Sequence, residues 1–148
     1  MREPVAPVHN DYTIKSGPEH VRELLDADEA EERFKHRFVE INVWGPIRGP
    51  VQSTPLAVCD SRSIAQNDLV PTVLKHEVYM VRFSPQHCWF YFPAMETNEV
   101  PLIKGFDSME DGRARFTAHA AFEDPTAPAS APPRETLKLV CWPFMGQA

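Results

Sequence analysis

Four residues of this chain have the types and order that oxidative metal chemistry requires: His9 and Asp11 around Asn10, then His119, then Arg134. Two histidines and one carboxylate are the donor set that holds non-haem iron(II) on one face and leaves positions open for oxygen. In an extended strand, residues two apart point to the same side, so His9 and Asp11 would reach one ion together. His119 sits among small neighbours, in Thr117-Ala118-His119-Ala120-Ala121, with room for a metal and a cosubstrate. Arg134 heads a predicted strand. A guanidinium there would clamp the carboxylate of a keto-acid cosubstrate through two charge-assisted hydrogen bonds.

Each of these residues also has a plainer reading. A chain with this many His and Asp contains roughly 0.3 His-x-Asp pairs by chance, so His9 and Asp11 are equally read as a polar terminal segment. His119 taken alone is equally a satisfied core histidine, and Arg134 a solvated loop charge. Asn42, Trp44, Arg62, Trp89 and Tyr91 are candidates for lining a substrate pocket. Trp89 and Tyr91 alternate along a predicted strand and read equally as core aromatics.

The elements that must position these residues are mainly β. Fifteen prolines against six glycines force frequent breaks, because proline is excluded from helix interiors and central strands. Pro18 opens one helix, expected over residues 19–34, with an acidic solvated face. An extended stretch over residues 8–13 precedes it. From Arg37 the pattern turns to period two, with Phe38, Glu40, Asn42 and Trp44 alternating against Val39, Ile41 and Val43 until Gly45-Pro46. Further strands are expected over residues 55–59, 78–83, 88–92, 100–106, 114–122 and 135–144. If 114–122 and 135–144 are neighbours, Arg134 returns beside the metal. Many short strands with regular turn punctuation indicate a sandwich or barrel with one outer helix.

Composition limits the function classes. At 148 residues the chain has the length of a single domain, 43% hydrophobic, with a net charge of −6. That balance argues against nucleic acid or an anionic membrane as main partner, and no apolar stretch is long enough to span a bilayer. Cys59, Cys88 and Cys141 are odd in number and far apart, which suits reduced thiols in a cytoplasmic protein.

Four segments together carry a resemblance: VHNDYT, RFVEINVWGPIRGPVQSTPLAVCDSRSI, WFYFPAMETNEVPLIKGFDS and ARFTAHAAFEDPTAPASAPPRETLKL. They resemble the fungal and bacterial hydroxylase/desaturase family of non-haem iron/2-oxoglutarate-type oxygenases. The resemblance implies a double-stranded β-helix (jelly-roll) core that uses iron(II), 2-oxoglutarate and oxygen on a small-molecule secondary metabolite. It implies His9, Asp11 and His119 as metal ligands and Arg134 as the cosubstrate's carboxylate anchor. Where the family carries Asn-x-Trp-Arg-Pro, this chain has Asn42-Val43-Trp44-Gly45-Pro46, with Arg48 close by as a substitute. The family also has a long segment ahead of the His-x-Asp. The 148 residues are therefore expected to be a C-terminal catalytic portion with an incomplete jelly roll. Two other readings stay open: a silent or partner-dependent remnant working with a complementing chain or as a homodimer, and an isomerase or cyclase using the metal as a Lewis acid.

Overall fold

The period-two pattern that begins at Arg37 builds two antiparallel sheets packed face to face. The computed structural model describes residues 4–146. Over these the chain runs β1 (His9–Asn10), α1 (Ser16–Leu24), α2 (Ala27–Phe34), β2 (Val39–Pro46), β3 (Leu56–Cys59), β4 (Leu69–Val73), β5 (Glu77–Val81), β6 (Trp89–Tyr91), β7 (Leu102–Asp107), β8 (His119–Ala121) and β9 (Thr136–Cys141). The larger sheet has the order β4-β5-β1-β8-β3-β6 and the smaller β7-β2-β9. Trp44 and Ile103 of the smaller sheet pack against Leu56 and Val58 of the larger, with Val51 and Met95 completing that core.

The expected single helix is two. Leu25 and Asp26 are both extended, and α2 restarts at Asp26, whose carbonyl accepts the Ala30 N–H at 2.9 Å. The break lets Val21 and Ala30 both be buried, which one straight helix over this arc would not allow. The helices cover one end of the sandwich, where Val21, Tyr12, Phe38 and Phe106 form a second core with Phe34, Phe116, Trp142 and Phe144 around it.

Other departures also have local causes. β4, which contains Pro71, falls outside the strands expected from the sequence. It lies at the edge of its sheet and pairs with β5 alone, which is where a strand tolerates proline. The strand expected over 114–122 shrinks to His119–Ala121, because the Thr117 N–H is taken by the Asn10 side chain at 3.2 Å instead of a ladder. β8 and β9 are not neighbours. They belong to opposite sheets, so Arg134 approaches His9 and His119 from the facing layer and not from the next strand.

β7 ends on Asp107, fully buried and bound by Arg37 through two contacts of 3.0 and 2.7 Å, by Lys104 at 3.0 Å and by the Met109 N–H at 3.1 Å. Burial pushes this carboxyl up, but the Arg37 hydrogen bonds, the Met109 N–H and Lys104 outweigh it and hold it at about 2. A folded pKa below the ordinary 3.8 gives stability that is complete above that value and is lost as pH falls towards 2.

Two outcomes follow. Asp107→Asn should be destabilised at pH 7 by about 2 kcal/mol, since it removes the buried charge that the partly exposed Arg37 and Lys104 hydrogen-bond. The gap from wild type should shrink between pH 4 and pH 2, as read by urea midpoints. Gly17→Ala places a Cβ 2.6 Å from the Phe106 ring and should cost about 1–3 kcal/mol by the same measurement.

Candidate metal centre

β1 lies between β5 and β8, and its register places His9 directly opposite His119. Side chains directly opposite in an antiparallel pair share one face, so the imidazoles stand together, ring centroids 4.6 Å apart and tilted by 53°. Asp11, two residues on from His9, returns to the same face just past the end of β1. One donor atom from each residue lies within 4.8 Å of the others. His9 Nε2 is 3.6 Å from Asp11 Oδ1, and His119 Nε2 is 3.9 Å from Asp11 Oδ2. These spacings are too long for strong hydrogen bonds and suit three donors converging on one ion.

The backbone decides which nitrogens face the centre. His9 Nδ1 donates to the Pro7 carbonyl at 2.8 Å, and His119 Nδ1 donates to the Thr117 carbonyl at 2.9 Å. With both Nδ1 atoms protonated and occupied, both Nε2 lone pairs are free for a metal. Burial holds the His119 imidazole below its ordinary pKa, which keeps it neutral. Burial pushes the Asp11 carboxyl up, but His9, His119 and Lys138 outweigh it and hold it well below the carboxylate range. Burial lowers the His9 pKa, but Asp11 and the Pro7 carbonyl outweigh it and raise it, so His9 Nε2 would give up its proton more readily to a metal than to solvent. Two imidazoles and an ionised carboxylate are the donor set that fits iron(II).

The smaller sheet supplies the supporting groups. Asn42, buried on β2, donates to Asp11 Oδ2 at 2.6 Å, and Lys138 on β9 donates to the same oxygen at 3.1 Å. His76 Nε2 donates to the Asp11 backbone carbonyl at 2.9 Å. Glu40, one inward step before Asn42, is fully buried with no well-formed hydrogen bond to its carboxyl. Burial, then the neighbouring Asp11 charge, pushes it up to about 8, so it is mainly protonated at neutral pH. Gly105 makes room for it: a Cβ there would stand 2.1 Å from Glu40 Oε2.

A cavity of about 220 Å³ opens on the ligands. Asn42, Trp44, Arg134 and Lys138 line it, together with Val5, Leu56, Ile103, Ala120 and Ala121. Arg134 is fixed over the Trp44 ring at 5.1 Å and donates from Nη1 to the Thr54 carbonyl at 2.6 Å. The structure thus brings together His9, Asp11, His119, Asn42, Trp44 and Arg134. It does not bring the other candidates there. Arg62 lines a separate cavity with Asn10, Arg113 and Arg115. Trp89 pairs with Cys59 and Tyr91 with Ala57, whereas His119 pairs with Val58, so both aromatics lie on the opposite face of the sheet. Arg48 pairs with Glu135 at 3.4 Å on the surface.

Lys138, His76 and Glu40 were not singled out from the sequence. For two of them a signal existed. Lys138 has the same strand parity as Arg134, and Glu40 the same parity as Asn42 and Trp44. His76 reaches Asp11 only through the β5 turn, which spacing does not reveal.

Titration with Mn(II) should show one-to-one binding that disappears in His119→Ala. Asn42→Ala, which loosens Asp11 without removing a ligand, should weaken it about 10–100-fold.

Residues 1–143 match the domain family described as "Oxidoreductase/YMDC permease-like domain". The chain is 35% identical over 152 residues to the Fe(II)/2-oxoglutarate-dependent dioxygenase nvfI of Aspergillus novofumigatus, covering 98% of this chain and 54% of that protein. It is 34% identical over 165 residues to the hydroxylase/desaturase asaB of Aspergillus flavus, covering 93% of this chain and 72% of the relative. A solved structure of the iron and alpha-ketoglutarate-dependent endoperoxidase NvfI superposes with a TM-score of 0.88 at 34% identity, over 97% of this chain and 55% of that one. The sandwich therefore has the jelly-roll fold of that oxygenase, and the chain spans about half the length of several relatives it matches. The chain belongs to the hydroxylase/desaturase family of iron(II)/2-oxoglutarate-dependent dioxygenases found in fungal secondary metabolism.

Proposed function

We propose that this chain is the catalytic portion of an enzyme that hydroxylates or desaturates a small-molecule secondary metabolite, using iron(II), 2-oxoglutarate and oxygen. The convergence of His9, Asp11 and His119, with both Nε2 atoms turned to one point, is the observation that carries this reading. Iron(II) and 2-oxoglutarate, when bound, supply the oxidising power by reducing oxygen as the keto acid becomes succinate and carbon dioxide.

The chain's own residues bind, orient and exclude. His9, Asp11 and His119 would hold the iron(II), beside the cavity that would receive the cosubstrate and substrate. Arg134, seated over Trp44, keeps guanidinium N–H groups for the distal carboxylate of 2-oxoglutarate. Leu56, Ile103 and Trp44 form the apolar wall that keeps water from the reacting centre and faces the target C–H bond. No helix among the described residues is long and apolar enough to cross a membrane. The reading places the reaction in the cytoplasm, where the free Cys59, Cys88 and Cys141 stay reduced.

One observation favours a partner-dependent form of the same activity. Trp89, Phe90, Tyr91 and Phe92 are exposed along β6, an edge strand of the larger sheet, and such an edge is usually covered in a native protein. A second copy or a complementing chain would supply that cover.

Iron-loaded protein should convert 2-oxoglutarate to succinate, and His119→Ala should abolish it. Arg134→Ala should weaken 2-oxoglutarate binding about 10–100-fold, the value of one charged hydrogen-bonded pair. Soluble, iron-loaded protein that neither binds nor consumes 2-oxoglutarate would overturn the reading. Activity that rises with protein concentration or on adding an N-terminal half would identify the partner-dependent form.

A further inference from the structure

Asp11 Oδ2 already receives two hydrogens. Asn42, fully buried, donates at 2.6 Å, and Lys138, whose side chain is 44% exposed, donates at 3.1 Å. The two partners differ in what they contribute. Asn42 is neutral and locked in the core, so it sets the carboxylate's orientation. Lys138 brings a full positive charge from a flexible, half-solvated stem, at the point where a divalent cation is to bind. Its place there follows from the sheet: Lys138 pairs with Trp44 across β2 and β9, which puts it on the inward face beside the cavity it lines.

We propose that Lys138 is a resident counter-cation of Asp11, one that a metal ion must drive off or crowd when it enters. The inference rests on His9, Asp11 and His119 being the metal ligands. A metal bound about 2 Å from either carboxylate oxygen lies within about 7 Å of this ammonium. A divalent ion and an ammonium at that separation repel even in a high dielectric, while salt and the exposure of Lys138 reduce the effect. The net penalty on metal binding is about three- to tenfold. Without metal, the same ammonium neutralises a partly buried carboxylate whose other neighbours are Asn42 and two imidazoles, so it keeps the empty ligand set assembled.

A ligand-positioning role and a counter-cation role predict opposite signs, which makes the proposal testable on the full chain. Mn(II) binding by calorimetry or by loss of the free-ion resonance signal should be about three- to tenfold tighter in Lys138→Met than in wild type. Lys138→Arg, which keeps the charge, should bind as wild type does. The advantage of Lys138→Met should shrink in high salt, and its metal-free form should unfold at a lower temperature than metal-free wild type. Equal or weaker Mn(II) binding by a folded Lys138→Met overturns the proposal and leaves the metal site standing. Absence of Mn(II) binding in both wild type and Lys138→Met overturns the metal site and the proposal together.

Discussion

The pairing of β1 with β8 sets the position of the three donors of the centre. Because His9 and His119 are direct cross-strand partners, their imidazoles share a face without any help from side-chain packing, and Asp11 joins them by the two-residue period of the strand. Backbone carbonyls then fix the ring tautomers. Backbone geometry thus determines both where the donors lie and which atoms they present.

The smaller sheet depends on that arrangement and completes it. Its inward polar residues read Glu40 and Asn42 on β2 and Arg134 and Lys138 just before and on β9, a polar row in a position where a sandwich normally buries apolar side chains. Asn42 and Lys138 end on Asp11, Arg134 ends on Trp44 and Thr54, and Glu40 sits protonated against Gly105. The apolar core proper is displaced to either side of this row, into the Trp44–Ile103–Leu56 cluster and the aromatic cluster under the helices. A polar row of this kind costs stability that the two clusters offset, and it is retained where the chemistry requires it.

Much of this was legible in the sequence because strand periodicity is a local property. His9 and Asp11 on one face, the inward phase of Asn42 and Trp44, and the β-rich class all follow from period two. The remainder depended on which strands become neighbours, and a single sequence does not encode that locally. Trp89 and Tyr91 have the right alternation but pair one step out of phase with His119. Arg62 lies on a turn that opens into a different cavity. The helix break at Leu25 and the proline-bearing edge strand β4 were set by burial and by position in the sheet, which override local propensity.

β1 has only two residues, and this brevity has a consequence for how the chain settles. So short a strand has almost no side-chain pattern of its own with which to choose an alignment, and a slip of one position would turn Asn10 inward and both ligands outward. An ion held by His9, Asp11 and His119 would accept only one alignment, and it would close a loop between β1 and a segment more than a hundred residues later. Metal binding at these residues would then favour the observed register of β1, so occupancy of the centre and alignment of that strand would be linked.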